Sequence, residues 1–346
     1  MKKLIFLATL FYLCSVQITF GQEEEKKFEP NGKALGTVFF NYHYDLTENA
    51  QKKSQFELLR SYFGYNYNFS EQFSTRIVFD VGYDSRVDAS QKTKNSYSAF
   101  LKFGLLQWKY EDLFSIQGGM IPTHMYDTQE KFMNYRYLLE PMQERYFTSA
   151  DLGVRATYTP FKMIELNAGL YNGEGYKNLQ DTYGLQKVSA DVVVRPIESL
   201  TFKTYYDFMS KKDTLNGQVI SLENKHLINF FLGYEQKDLF RIGVDYVIQK
   251  NSAFVKDQTS SGISAYGAFV LGKFELFSRY DKVLSNTLEG ETENWNIAND
   301  FDRIIGGVQF TPVKGVRMAL NYRHEIKSIS GAVPSDFIYL NFEYKF

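Results

Sequence analysis

Residues 338–346 read Ile-Tyr-Leu-Asn-Phe-Glu-Tyr-Lys-Phe: Ile338, Leu340, Phe342, Tyr344 and Phe346 alternate with Tyr339, Asn341, Glu343 and Lys345. A β-strand turns successive side chains to opposite faces, so this stretch has one apolar and one polar face. Neither lipid nor a dry core accepts the charged face, but a wet interior does. The same alternation recurs from residue 34 onward. It predicts an all-β chain, a transmembrane antiparallel β-barrel with lipid outside and water inside.

Short turns are read at Ser70-Glu71-Gln72, Glu111-Asp112, Pro160-Phe161-Lys162, Pro196-Ile197-Glu198, Gln236-Lys237-Asp238, Gly272-Lys273 and Pro312-Val313-Lys314. They recur about every 40 residues, the span of two strands, a tight turn and a longer loop. Longer polar segments separate them at about 46–54, 84–95, 122–149, 173–183, 211–224, 251–260, 284–299 and 327–335. Seven turns and eight loops connect sixteen strands, with both chain ends on the short-turn side. Sixteen strands leave an aqueous lumen, whereas eight would fill with side chains. Only 261–271 alternates poorly.

Residues 1–21 have the form of a secretory signal: Lys2 and Lys3, the apolar run Leu4 to Leu13, then Thr19-Phe20-Gly21. Residues 22–33 are polar and read as a periplasmic lead-in, leaving 34–346 for the barrel. The single cysteine, Cys14, falls inside the signal, so no disulfide framework is expected. No other stretch has the 18 or so apolar residues of a membrane helix. The 26 Tyr and 31 Phe suffice for aromatic girdles at the two membrane interfaces. With 39 Lys and Arg against 40 Asp and Glu, the chain lacks the basic excess of a nucleic-acid binder.

One loop is much longer than the others. Residues 122–149 run from Pro122 to Ser149, and ordered loops of that length are usually functional. It carries Asp127, Glu130, Glu140 and Glu144 against Lys131, Arg136 and Arg145, with His124 beside them. Opposed charges at a constriction would sieve polar solutes, while Tyr135-Arg136-Tyr137 could instead pin the loop to the wall.

In these features the chain resembles the sixteen-stranded bacterial outer-membrane porins, whose third loop folds inward and narrows the barrel. The closer resemblance is to the phosphate-selective porin O/P family. It rests on the signal, the strand count, Gly-Gly-Met-Ile-Pro at 118–122, Asp-Leu-Gly-Val at 151–154 and the terminal Phe346. The resemblance implies a homotrimer in outer-membrane lipid, and makes Phe346 the signal read by barrel-assembly machinery.

With the apolar faces outward, Arg60, Arg76, Arg155, Arg241, Arg279, Arg303, Arg317 and Arg323 line the pore, joined by Arg195, Lys102, Lys187, Lys203 and Lys345. Asp80, Asp151, Glu165, Asp191, Asp207, Glu235, Asp245, Glu275, Asp281 and Glu343 oppose them. Arginines select anions in pores, so a weak anion (phosphate-like) preference is expected, blunted where carboxylates pair with the arginines.

The competing readings are a barrel hydrolase and an adhesin. The four histidines, His43, His124, His226 and His324, show no local nucleophile or metal-ligand spacing, and no metal or cofactor is expected. Asp281 with Glu291, or Asp300 with Asp302, could imitate the acidic pairs of a barrel protease. A plugged transporter would need about 22 strands and a plug domain. The expectation is a porin in the outer membrane of a diderm bacterium, passing small hydrophilic solutes by diffusion.

Overall fold

The computed structural model describes residues 28–51, 53–84, 96–181 and 183–346. The expected signal, half of the lead-in (22–27) and residues 85–95 of the expected loop at 84–95 lie outside them.

Sixteen strands close one antiparallel barrel. They are β1 (Asn31–Asp45), β2 (Ser54–Asn68), β3 (Phe73–Asp84), β4 (Ser96–Tyr110), β5 (Phe114–Pro122), β6 (Ala150–Phe161), β7 (Ile164–Tyr171), β8 (Lys187–Ile197) and β9 (Leu200–Met209), followed by β12 (Lys225–Gln236), β13 (Phe240–Lys250), β14 (Thr259–Leu271), β15 (Phe274–Ser285), β16 (Phe301–Val313), β17 (Val316–Lys327) and β18 (Ser335–Lys345). β10 (Lys212–Leu215) and β11 (Gln218–Ser221) form a separate hairpin in the loop after β9, a segment expected to be plain loop. The Asn216-Gly217 pair at its tip, with φ of 51° and 78°, is the usual two-residue hairpin turn. The first strand starts at Asn31, paired with Asn68, three residues before the expected boundary.

The chain ends join the ring. Phe40 pairs with Phe342 and their rings stack at 4.6 Å. Gly36 and Phe346 exchange backbone hydrogen bonds of 3.2 and 3.1 Å. Closure leaves no sheet edge, so the backbone polar groups of the strands are paired where lipid could not satisfy them.

The burial pattern is inverted relative to a soluble protein. Leu320, Leu340, Ile304 and Phe230 are exposed on the outer wall, while Asp80, Asp207, Lys203 and Asn341 are wholly buried inside. This is the lipid-facing belt and polar interior of a transmembrane barrel. Larger apolar clusters do form, and they lie within the lumen. Met133, Tyr135, Tyr137 and Leu138 pack on Phe231, Phe277 and Ile305; Met125, Met142 and Phe147 pack on Tyr205, Leu227 and Val283. In both clusters one side is the loop between β5 and β6.

Candidate pore and its inward loop

That loop begins at Thr123 and contains one helix, α1 (Asp127–Met133), and a 3-10 turn at Met142–Arg145. It crosses the lumen to the opposite wall. Tyr135 donates to Glu275 on β15 at 2.6 Å, and Tyr137 donates to Gln309 on β16 at 2.9 Å. Gln129 reaches Asn229 on β12 at 2.5 Å. The pinning expected of Tyr135 and Tyr137 is therefore present.

The wall is shaped to receive the loop. A Cβ on Gly262 of β14 would collide with the Met142 sulfur, and one on Gly233 of β12 would collide with the Phe132 ring. Phe132 also lies 5.3 Å from the Phe231 ring, edge-on. In β14 the inward Ser260, Gly262, Ser264 and Ala268 make room for the loop, while the small outward Ser261, Ala265 and Gly267 are what weaken its alternation. Each fully buried loop side chain contributes roughly 1.5–3 kcal/mol to seating it.

Most of the expected pore-lining arginines hold this assembly together. Arg279 donates to the Glu140 carbonyl at 3.0 Å, Arg323 to the Leu138 carbonyl at 2.8 Å, and Arg317 to the Asn134 carbonyl at 2.6 Å. Arg317 also pairs with Glu343, and Arg303 with Glu325. Arg241 pairs with Glu275 at 2.6 Å, and Arg60 bridges Asp80 and Glu140 at 2.5 and 2.9 Å. Glu57, which accepts from Asn41, and Glu325 join the inward acids, and Lys225 and Lys327 the inward bases.

Arg76 and Arg155 differ from these six. Among the described residues neither has a carboxylate partner. Arg76 lies 4.8 Å from the Phe103 ring centroid, and the one hydrogen bond of Arg155 is a 3.5 Å contact to the Pro122 carbonyl. Lys102 belongs with them. The register between β3 and β4 skips at Val78/Phe79, leaving Lys102 unopposed and turned inward beside Phe103. Its Nζ lies 4.5 Å from the Tyr62 ring centroid and donates to the Tyr62 hydroxyl at 3.3 Å. These three cations, with Lys131 from α1, border a cavity of about 400 Å³ between the loop and the β1–β4 wall.

The loop's own charges divide into groups. Arg136 pairs with Glu130, Glu140 and Glu144 at 3.0–3.1 Å. Burial opposes ionisation of Glu140, but Arg136 and Arg60 outweigh it and hold the carboxyl below its usual range. At Glu144 burial prevails over Arg136, and the carboxyl titrates above its usual range. Asp127 faces Lys203 of β9 at 2.8 Å; despite burial, Lys203 and Lys131 keep its pKa low. His124 is set apart, sealed 3.2 Å from Asp191 of β8. Burial and then Arg155 depress its pKa well below 6.5, so it is neutral at pH 7. Arg145 also stands apart, stacked 5.0 Å from Phe301 and bonded to the Asn299 carbonyl.

The acidic pairs that could have imitated a protease are otherwise engaged. Asp281 is held inside by Ser264 and Arg279, Asp300 accepts from Ser285, and Asp302 lies outward beside Lys282.

Neither family models nor curated protein sequences match the chain. Solved outer-membrane barrels share its fold. Salmonella typhi OmpF, in a complex with daunomycin, aligns with a TM-score of 0.67 at 12% identity, over 91% of this chain and 97% of that one. The outer membrane channel DcaP of Acinetobacter baumannii gives 0.66 at 12% identity, over 94% and 99%. An anion-selective porin from Comamonas acidovorans gives 0.62 at 10%, over 92% and 100%. The chain has the closed sixteen-stranded fold of the outer-membrane porins.

Proposed function

We propose that this protein is a porin of a diderm outer membrane, a water-filled channel through which small hydrophilic solutes, anions in preference to cations, diffuse passively. The carrying observation is the cavity beside the inward loop. Among the described residues, its lining holds Arg76, Lys102 and Arg155 without carboxylate partners and Lys131 close to Asp127 but in no ion pair, while its acids Asp127, Glu130 and Glu343 are each tied to another base. A free cationic wall in a narrow passage favours anions. The mechanism needs no chemistry. The loop sets the cutoff, with Asp127, Glu130, Lys131, Arg136, Glu140 and Glu144 at the constriction and His124 and Arg145 as anchors.

We read the cation-lined passage as the counterpart of the arginine-lined pores of the phosphate-selective porin O/P family, with phosphate among the anions admitted. A homotrimer surrounded by outer-membrane lipid is the assembly that goes with this reading. Phe346, exposed beyond the closing strand, is assigned as the signal for barrel-assembly machinery. Its removal should lower the amount of folded protein in the membrane; unchanged levels would refute that assignment.

The channel reading is tested in a planar bilayer under a KCl gradient. Discrete conductance steps with a reversal potential on the chloride side are expected. Steps that favour potassium would overturn the anion preference, and folded protein giving no steps would overturn the channel.

A further inference from the structure

We propose that the cavity beside the loop is a binding site for an organic carboxylate with an apolar body, such as an aromatic or short-chain acid, held in transit through the lumen. The inference rests on the channel reading and narrows the solute class. Its volume of about 400 Å³ falls in the lower part of the roughly 300–1,000 Å³ range of small-molecule sites.

The cavity is two-sided. One side is cationic: Arg76 and Lys131 are exposed to the lumen, while Lys102 is buried. The Nε of Arg155 is buried with no acceptor among the described residues. A buried donor left without a partner is uncommon and points to a group that completes it. An ionised carboxylate fits this role, since it only accepts hydrogen bonds and pairs with guanidinium through two parallel ones. The ring of Phe103 holds the Arg76 guanidinium through its face, leaving the in-plane N–H groups free for such a pair.

The other side is largely apolar. Leu35, Phe39 and Val78 line it, with only the Thr37 and Tyr62 hydroxyls among them as donors, so a bare, multiply charged inorganic anion would recover only part of the hydration it loses there. A ring or short hydrocarbon chain would instead gain contact. The three acids of the lining do not oppose the carboxylate, because each already has its cation.

Benzoate is the probe, compared with inorganic phosphate and benzyl alcohol on the full-length barrel in a planar bilayer. Benzoate should interrupt the current at a concentration at least tenfold below that needed for either comparator. Arg76→Gln and Lys131→Gln, both exposed to the lumen and therefore safe for folding, should each raise that concentration several-fold; Arg155→Gln should raise it about tenfold. Equal or stronger block by phosphate, or block indifferent to all three substitutions, would overturn the proposal. Calorimetry on the folded barrel in detergent separates the two readings. Benzoate binding that Arg155→Gln weakens, in a barrel that does not conduct, would keep the site and refute the channel; absence of binding would refute the site.

Discussion

The inward loop divides the lumen into two unlike flanks. On the β7–β9 side, Lys187 pairs with Asp207 at 2.8 Å, Lys203 with Asp127 at 2.8 Å, and His124 sits against Asp191, all sealed under Tyr171, Tyr205 and Phe147. The Lys187 ammonium lies over the Phe147 ring at 3.1 Å. On the β1–β4 side Arg60 is tied to Asp80 and Glu140, but Arg76 and Lys102 meet aromatic rings and open space. The residue types are similar, but the loop covers the charges of one flank and leaves a cavity beside the other. The charge list of a barrel therefore does not give its pore chemistry. What decides it is which charges the loop covers and pairs.

The largest test of this difference is to abolish it. Deleting residues 126–146 should raise single-channel conductance several-fold, since both flanks then open; unchanged conductance would mean that the loop does not control the passage. Lys187→Gln should act on the sealed flank alone. It leaves Asp207 buried with the Tyr205 hydroxyl and the more distant Lys225 ammonium, and removing one partner of a buried pair costs about 3–5 kcal/mol, to be read as earlier urea unfolding. Gly262→Val should push Met142 off its socket at a cost of about 1–3 kcal/mol, with noisier current. Quiet wild-type traces would show that the socket does not matter.

Acid should have the smallest effect until it is strong. The folded pKa of Asp127 lies below its reference of 3.8, so the stability from its pair with Lys203 is complete above that value and declines as pH falls through the folded pKa. Glu144, shifted upward, protonates earlier, but Arg136 then keeps Glu130 and Glu140. Conductance should hold at pH 5 and change only below about pH 4, the region of an ordinary Asp carboxyl. A transition near neutrality would place the seat on other groups.

Strand positions, turns and the special length of the third loop were legible because period-two alternation and turn residues are local signals. The asymmetry of the flanks was not, because it depends on partners far apart in sequence. Arg303 and Arg76 look alike along the chain, yet one meets Glu325 and the other Phe103. The grouping of His124 and Arg145 with the other loop charges likewise followed from sequence proximity, and the fold sends them to different walls. Two local signals went unread: Asn216-Gly217 sits at the tip of the extra hairpin, and Gly233 and Gly262 lie where the loop is received. Lys102 was legible as an inward cation, but its place beside Phe103 was not, since that comes from a register skip.

The most direct test sets one cation from each flank side by side: reversal potentials under a KCl gradient for Arg76→Gln and Lys187→Gln against the unaltered protein. Arg76→Gln should move the reversal potential toward the potassium side, while Lys187→Gln should leave it in place. A shift with Lys187→Gln equal to or larger than that with Arg76→Gln would contradict the division of the lumen into a sealed flank and a conducting one.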